Sequence, residues 1–334
     1  MKLSDIGEFG FIERFATNFD HMIADADMGI GDDCAILSVN ESENNVVTTD
    51  LLIEDVHFLK NRISAEELGY KSLAVNLSDI AAMGARPLFS FLSLGIPKNT
   101  EVEYLDAFME GYKQLSEKYR VPLMGGDTTK SVDRLVISVT VVGQCRKSEM
   151  RLRSMAETGD LICVSGNLGD SAGGLQVLLD KLELNTGNKD LIRRHHCPEP
   201  RIHEGMWLAQ QDNVHAMMDI SDGISSDLKH ILKASRKSAE IHLEQLPTSQ
   251  HLQEASSKYN WSIYDLATGG GEDYELLFTM NASDFERLNR EFENRFSRPV
   301  HAFGKIVEGK PVITWYKEGV EMNPDTAGFD HFAK

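Results

Sequence analysis

Gly29-Ile30-Gly31-Asp32-Asp33-Cys34 places two adjacent carboxylates on a glycine turn, just ahead of the apolar run Ala35-Ile36-Leu37. Glycine lets the backbone turn tightly, and neighbouring acids repel each other unless a cation neutralises them. Alone, the stretch reads equally as a solvated acidic turn or as one wall of a metal site. The rest of the chain shifts that balance, because acids recur on similar junctions.

Cys34 to Val39 and Asn45 to Thr49 read as two strands joined by the polar turn Glu41 to Asn44, so Thr48-Thr49-Asp50 is expected at a strand end. Val121 to Met124 reads as a short strand running into Gly125-Gly126-Asp127-Thr128-Thr129. Val214 to Asp219 is a strand delivering Met218-Asp219-Ile220-Ser221-Asp222-Gly223 ahead of a helix over Ile224 to Ala234. The last junction is Ala267-Thr268-Gly269-Gly270-Gly271-Glu272-Asp273-Tyr274-Glu275, followed by the strand Leu276 to Met280. Three consecutive glycines are costly to order and mark a backbone that must approach something closely.

Between these junctions lie helical patterns. Glu8 to Phe19 carries apolar residues at i, i+3, i+4, and Val102 to Tyr119 and the Phe285, Leu288, Phe292 stretch read as further helices. Ala65 to Gly84 is helical and rich in small residues, yet Asp79 interrupts its apolar run. A carboxylate there needs a partner, either a cation shared with the other acids or a salt bridge to a residue such as Arg86. Leu88 to Leu94 and Leu135 to Val142 complete a first set of strands. Arg146 to Gly159 lacks periodicity and reads as a link between domains, and Asp160 to Ser165 opens a second strand and helix series. Val300 to Val307 and Pro311 to Trp315 finish as strands, and the aromatic tail around Phe329 is expected to dock. Strands and helices in two successive series make this an α/β (α+β) chain of two domains, residues 1–147 and 148–334.

Composition narrows the function. Lys and Arg number 34 against 52 Asp and Glu, a net charge of −18, and no basic run appears, which argues against nucleic acid as a partner. An acidic chain can still bind a nucleotide through cations held between its carboxylates and the phosphates. Asp5 and Glu8 interrupt the N-terminus where a signal peptide needs an apolar core, and no segment reaches the ~20 apolar residues of a membrane span. Cys34, Cys145, Cys163 and Cys197 form no CxxC pair and read as reduced thiols, so the expectation is a cytoplasmic protein without a membrane partner.

Other signals point elsewhere and fail. Neither GxxxxGK[ST] nor GxGxxG occurs. His195 and His196 are adjacent and cannot face one zinc ion well with Cys197 and His203. The Asp25-Ala26-Asp27 run has Gly29, Ile30 and Ile36 where a calcium loop needs an oxygen ligand, a glycine and a glutamate. His57 and Arg153 each have an ordinary structural reading as a packing residue and a solvated linker residue. What remains is a coincidence of acids. Asp33, Asp50, Asp79, Asp127, Asp219 and Asp222 could share a pocket only with cations, as magnesium ions bridging a triphosphate provide.

GIGDD, TTD followed by VHF, NLSDIAAMGA, GGDTT, DISDG and GGGEDYEL, in this order, resemble the thiamine-monophosphate kinase family. That family is grouped with the aminoimidazole-ribonucleotide-synthetase-like ATP-using proteins. The resemblance implies their two-domain architecture: an N-terminal mixed sheet with helices that binds ATP and magnesium and dimerises, and a C-terminal α/β domain with a docked tail. It implies transfer of the ATP γ-phosphoryl group to thiamine monophosphate with several Mg2+ ions. Asp33, Thr48, Thr49, Asp50, Asp79, Asp127, Asp219 and Asp222 match the family's magnesium positions, and Gly126, Asp127, Arg153 and Ser221 its ATP contacts. His57, Glu272 and Phe329 fall where the family contacts the thiamine phosphate, and Ala327 departs from the bulkier aromatic of some relatives. Within the turn that opens the pattern, Asp33 is the expected ligand, and Asp32 shapes the turn or holds a metal-bound water. Two rivals stand beside this reading: an ATP-dependent amide- or carboxyl-activating sister enzyme, and a non-catalytic metal-nucleotide sensor.

Overall fold

The computed structural model describes residues 6–15, 18 and 20–322. The first half runs α1 (Gly7–Phe15), β1 (Ala35–Ser38), β2 (Glu43–Ile53), α2 (Ala65–Ala82), β3 (Arg86–Pro97), α3 (Val102–Tyr119), β4 (Leu123–Ser131) and β5 (Val136–Arg146). Its strands form a sheet in the order β1-β2-β5-β3-β4, antiparallel except for the β3–β4 pair. The second half runs β6 (Leu161–Val164), α4 (Asp170–Leu179), α5 (Thr186–His196), α6 (Ile202–Ala209), β7 (Val214–Asp219), α7 (Ile224–Ser235) and β8 (Ser238–His242). It continues with α8 (Gln250–Tyr259), α9 (Ile263–Gly269), β9 (Leu276–Met280), α10 (Phe285–Phe296), β10 (His301–Val307), β11 (Ile313–Lys317) and β12 (Val320–Met322). Its sheet is ordered β12-β11-β8-β10-β6-β9-β7, with β11 and β8 parallel. Among the described residues no helix is long and apolar enough to cross a membrane.

Helix α2 is the element that both halves share. Ser64 and Glu67 form a reciprocal capping box that starts it, satisfying donors that would otherwise be orphaned at its N-terminus. It is buried nearly all round: Leu68, Leu73, Leu77 and Ile80 are closed from solvent. Small residues permit this. A Cβ on Gly69 would lie 1.8 Å from Phe108 O and one on Gly111 1.8 Å from Glu66 O, so α2 and α3 cross at a distance only glycine allows. On its other side, a Cβ on Gly205 of α6 would lie 2.1 Å from Ala81 O. One apolar core consequently runs from Val46 and Val141 of the first sheet through α2 to Met217 and Phe278 of the second.

Three sequence expectations change in detail. β2 extends to Ile53, so Thr48-Thr49-Asp50 sits within a strand and not at its end, the alternation of buried Val46, Thr48 and Leu52 continuing through it. β4 likewise continues through Gly125-Gly126-Asp127-Thr128-Thr129. These residues pair in parallel with Phe91 to Gly95 of β3, and pairing with a neighbouring strand holds extended a stretch that alone reads as a turn. Asp79 has no ion pair with Arg86; it accepts a hydrogen bond from the Thr48 hydroxyl.

Candidate active site

Asp33 follows the Gly29–Gly31 turn into β1, Asp79 projects from the last turn of α2, and Asp219 ends β7. One carboxylate oxygen from each lies within 4.8 Å of the others. Three different elements thus converge on one point, and the side chain of Asp33 is 1% exposed. Burial is the leading cause that raises Asp219 to about 7 and Asp50 to about 6 and lifts Asp79 well above the carboxylate range. The charges of neighbouring acids add to the shifts of Asp79 and Asp219. Three hydroxyl and guanidinium groups offset the repulsion in part: Thr48 donates to Asp79, Ser78 to Asp219 at 2.5 Å, and Arg153 Nη2 to Asp33 Oδ1 at 2.6 Å.

This donor set fits magnesium. Its ligands are hard carboxylate oxygens closely grouped, and Asp33 Oδ2 is buried without a hydrogen-bond partner among the described residues, as a cation ligand would be. Asp32 plays a different part. Its Oδ1 accepts the Asp33 N–H at 3.0 Å and its Oδ2 the Arg153 N–H at 3.1 Å, so it holds the turn against the segment carrying Arg153.

The cluster opens into a cleft of about 780 Å³. Asp50, Asp79, Asp219, Ser221 and Asp222 line one part of it. His57, Lys71, His195, Glu272 and the apolar Val56, Leu175 and Leu179 line the rest. Asp55-Val56-His57 is a tight turn, closed by His57 Nδ1 accepting the Ile53 N–H at 3.0 Å. The glycine run gives Glu272 its place. A Cβ on Gly271 would lie 2.5 Å from Ser221 O, and the Glu272 N–H donates to that same carbonyl at 2.7 Å. Glu272 itself takes φ +63, a left-handed conformation that glutamate rarely adopts and that is concentrated at functional sites.

Three converging carboxylates stand beside a cleft with polar and apolar walls, carried on two mixed sheets. Residues 31–145 match the AIR synthase related protein N-terminal domain, and residues 157–313 the corresponding C-terminal domain. The chain is 39% identical to the thiamine-monophosphate kinase of Haemophilus influenzae, over 98% of each chain. It is 36% identical to that of Bacillus subtilis, over 97% of this chain and 99% of the relative. The chain belongs to the thiamine-monophosphate kinase family. The solved structure of AaThiL complexed with AMPPCP and TMP has the same fold, with a TM-score of 0.85 and 35% identity over 99% of each chain.

Most thiamine-monophosphate kinase positions named from sequence meet around this cleft. Asp33, Asp79 and Asp219 cluster; Thr48 and Arg153 contact that cluster; Asp50, Ser221, Asp222, His57 and Glu272 line the cleft. Gly126 and Asp127 do not join them. They lie on the exposed edge strand β4, where Gly126 is in register with Asp50 through Leu92 and Val139, three strands away. Thr49 is exposed, its hydroxyl donating to Val139 O at 3.2 Å. Phe329 and Ala327 lie outside the described residues.

Sequence reasoning passed over Lys71, Ser78 and Ser171 and set His195 aside with the discarded zinc reading. Only one of these carries a signal in the sequence: a lysine inside a helical run whose neighbours Leu68, Leu73 and Ala74 are all buried. Finding Ser78 and Ser171 requires knowing which elements face one another.

Proposed function

We propose that this protein transfers the γ-phosphoryl group of ATP to thiamine monophosphate, producing thiamine diphosphate and ADP. The observation that carries the reading is the cleft itself, which Asp79 and Asp219 of the three converging carboxylates line together with Glu272, His57 and apolar residues. The family membership and the AaThiL complex with AMPPCP and TMP support the same assignment. Asp33, Asp50, Asp79, Asp219 and Asp222 would hold magnesium, which supplies charge neutralisation between the nucleotide and the acceptor phosphate.

The chain's own groups then have limited work to do. A phosphate monoester has a second pKa of about 6, so the acceptor oxygen is ionised near neutral pH and needs no general base. Arg153 stands beside the carboxylate cluster, where its guanidinium can turn from Asp33 toward a phosphate oxygen. Ser221, on the loop between Asp219 and Asp222, would contact ATP, and His57, Glu272 and Phe329 are assigned to thiamine monophosphate. Transfer is direct and in line, the protein positioning and neutralising without forming an aspartyl phosphate.

A homodimer belongs to this reading. Every residue of β4 up to Lys130 is exposed, and an open edge of this length invites pairing or cover. Phe91, Leu51, Leu123 and Met124 are exposed apolar residues of the same sheet. A second copy laid there would cover them and enclose Gly126 and Asp127, whose assignment to ATP and metal rests on the family's pattern. Residues 1–147 serve as the nucleotide, metal and dimerisation domain and 148–334 as the second domain. The free cysteines Cys34, Cys145, Cys163 and Cys197 suit the reducing cytoplasm. Magnesium-dependent ADP release, measured with and without thiamine monophosphate, tests the function. A phosphorylated protein able to pass its phosphate to thiamine monophosphate would refute direct transfer.

A further inference from the structure

Lys71 is 1% exposed, yet its ammonium lines the cleft and its hydrogen bond goes to Glu272 Oε2 at 3.0 Å. Buried lysines are rare and need a partner, and here the partner is a residue on the strained glycine loop of the other half. His195 Nδ1 stands 3.2 Å from the same Oε2 and 2.9 Å from Ser171 Oγ. Burial, then the charges of Lys71 and His196, holds His195 well below the ordinary imidazole range. Its Nδ1 thus hydrogen-bonds the Ser171 hydroxyl and packs against the Glu272 carboxylate oxygen. Both contacts therefore fall on Oε2, while Oε1 makes none among the described residues and the Glu272 side chain stays 25% exposed.

Helix α2 sets the scale. Lys71, Val75 and Asp79 recur every four residues along its cleft face, and eight residues at ~1.5 Å place Lys71 about 12 Å along the helix from the carboxylate cluster. A substrate with its reacting phosphate at Asp79 would present its far end to Glu272.

We propose that Lys71 and His195 are positioning residues that clamp Oε2 of Glu272 so that Oε1 is held out to an N–H donor on the heteroaromatic end of the phosphate-ester substrate. The inference rests on the thiamine monophosphate reading, in which that donor is the pyrimidine amino group. A hydrogen bond to a charged acceptor gives selectivity that apolar contact does not, because the analogue lacking the donor leaves the carboxylate unpaired. Without Lys71, Glu272 would stand as an uncompensated carboxylate in a cleft already crowded with acids, and would turn away.

The test compares thiamine monophosphate with its analogue bearing a carbonyl in place of the amino group. The wild type should show a KM about 10–100-fold higher for the analogue, with kcat changed by less than about threefold. Lys71→Met should raise the KM for thiamine monophosphate by a similar factor and abolish the discrimination, leaving the KM for ATP within about threefold. Lys71→Arg should restore it. A folded Lys71→Met that still discriminates, or a wild type that never does, overturns the inference. Should Lys71→Met fail to fold, His195→Gln carries the same comparison, and retained discrimination there overturns the clamp. A wild type that phosphorylates neither compound refutes the function reading instead, so the two failures are distinguishable.

Discussion

Arg153 Nη2 lies 2.6 Å from Asp33 Oδ1, joining the segment between the two sheets to the acidic turn at the start of β1, with the Asp33 side chain closed from solvent. Burial works against the Arg153 charge, but Asp33 and Asp32 more than offset it and raise its pKa. The guanidinium is thus the cation that the carboxylate cluster keeps in its own structure, and it is poised at the place where phosphate charge would arrive.

Replacing that cation should separate stability from catalysis. Arg153→Met is expected to lower the melting temperature in magnesium-free buffer, because Asp33 loses its ion pair, and magnesium should recover most of the loss. Turnover should stay at least about 100-fold below wild type even with saturating magnesium, since a preorganised charge near the transferring phosphate is missing. Melting curves and kcat with and without magnesium check both halves.

Asp33→Asn should behave in the opposite sense. Removing one of several crowded carboxylates relieves repulsion, so the melting temperature of the metal-free protein should hold or rise while kcat falls by about 100-fold or more. Calorimetric melting beside steady-state kinetics decides it. A variant that unfolds but keeps its turnover when folded would show that Asp33 is structural.

The acidic cluster also predicts a pH dependence. Asp219 near 7 and Asp50 near 6 have folded-state values above the ordinary 3.8, chiefly through burial. The folded state therefore binds more protons than the unfolded state between these limits, and the contribution of these groups to stability falls as pH rises through about 4 to 7. Magnesium competes with those protons, so its addition should raise the melting temperature more at about pH 8 than at about pH 5.5. An equal rise at both would contradict the assignment of Asp50, Asp79 and Asp219 to metal.

Gly111→Ala tests the shared helix. The new methyl would meet the Glu66 carbonyl at 1.8 Å, forcing α2 and α3 apart, and should destabilise the protein by about 2 kcal/mol. Because α2 carries Lys71 and Asp79, activity should fall further than after an α3 surface change such as Lys113→Ala, which removes ion pairs to the exposed Glu110 and Glu117.

The parts of this site legible in sequence were those where backbone chemistry and function coincide. Glycine turns delivering Asp33 and Glu272 announce themselves, because the residue types needed for the turn are themselves unusual, and Asp219 shows as the acid that ends an apolar strand. Asp79 was readable as an anomaly inside an apolar helix, although its local partner was Thr48 across the sheet and not Arg86. The course of β4 through Gly125-Gly126-Asp127 was hidden, since its extended form depends on pairing with β3, a contact between residues far apart in the chain. Lys71 shows in the sequence only as a lysine inside an apolar helical run, and His195 gives no such sign. Their meaning comes from meeting Glu272 across the cleft, a separation of 201 residues for Lys71 that no local pattern encodes.

On this reading the carboxylate cluster and the cleft together transfer phosphate to thiamine monophosphate. Incubating the protein with ATP labelled in its γ-phosphate, magnesium and thiamine monophosphate, then separating the products, tests it most directly. Label should appear in thiamine diphosphate in step with ADP, only with magnesium, and be nearly lost in Asp219→Asn. ATP consumed at the same rate without thiamine monophosphate, with the label released as free phosphate, would contradict it.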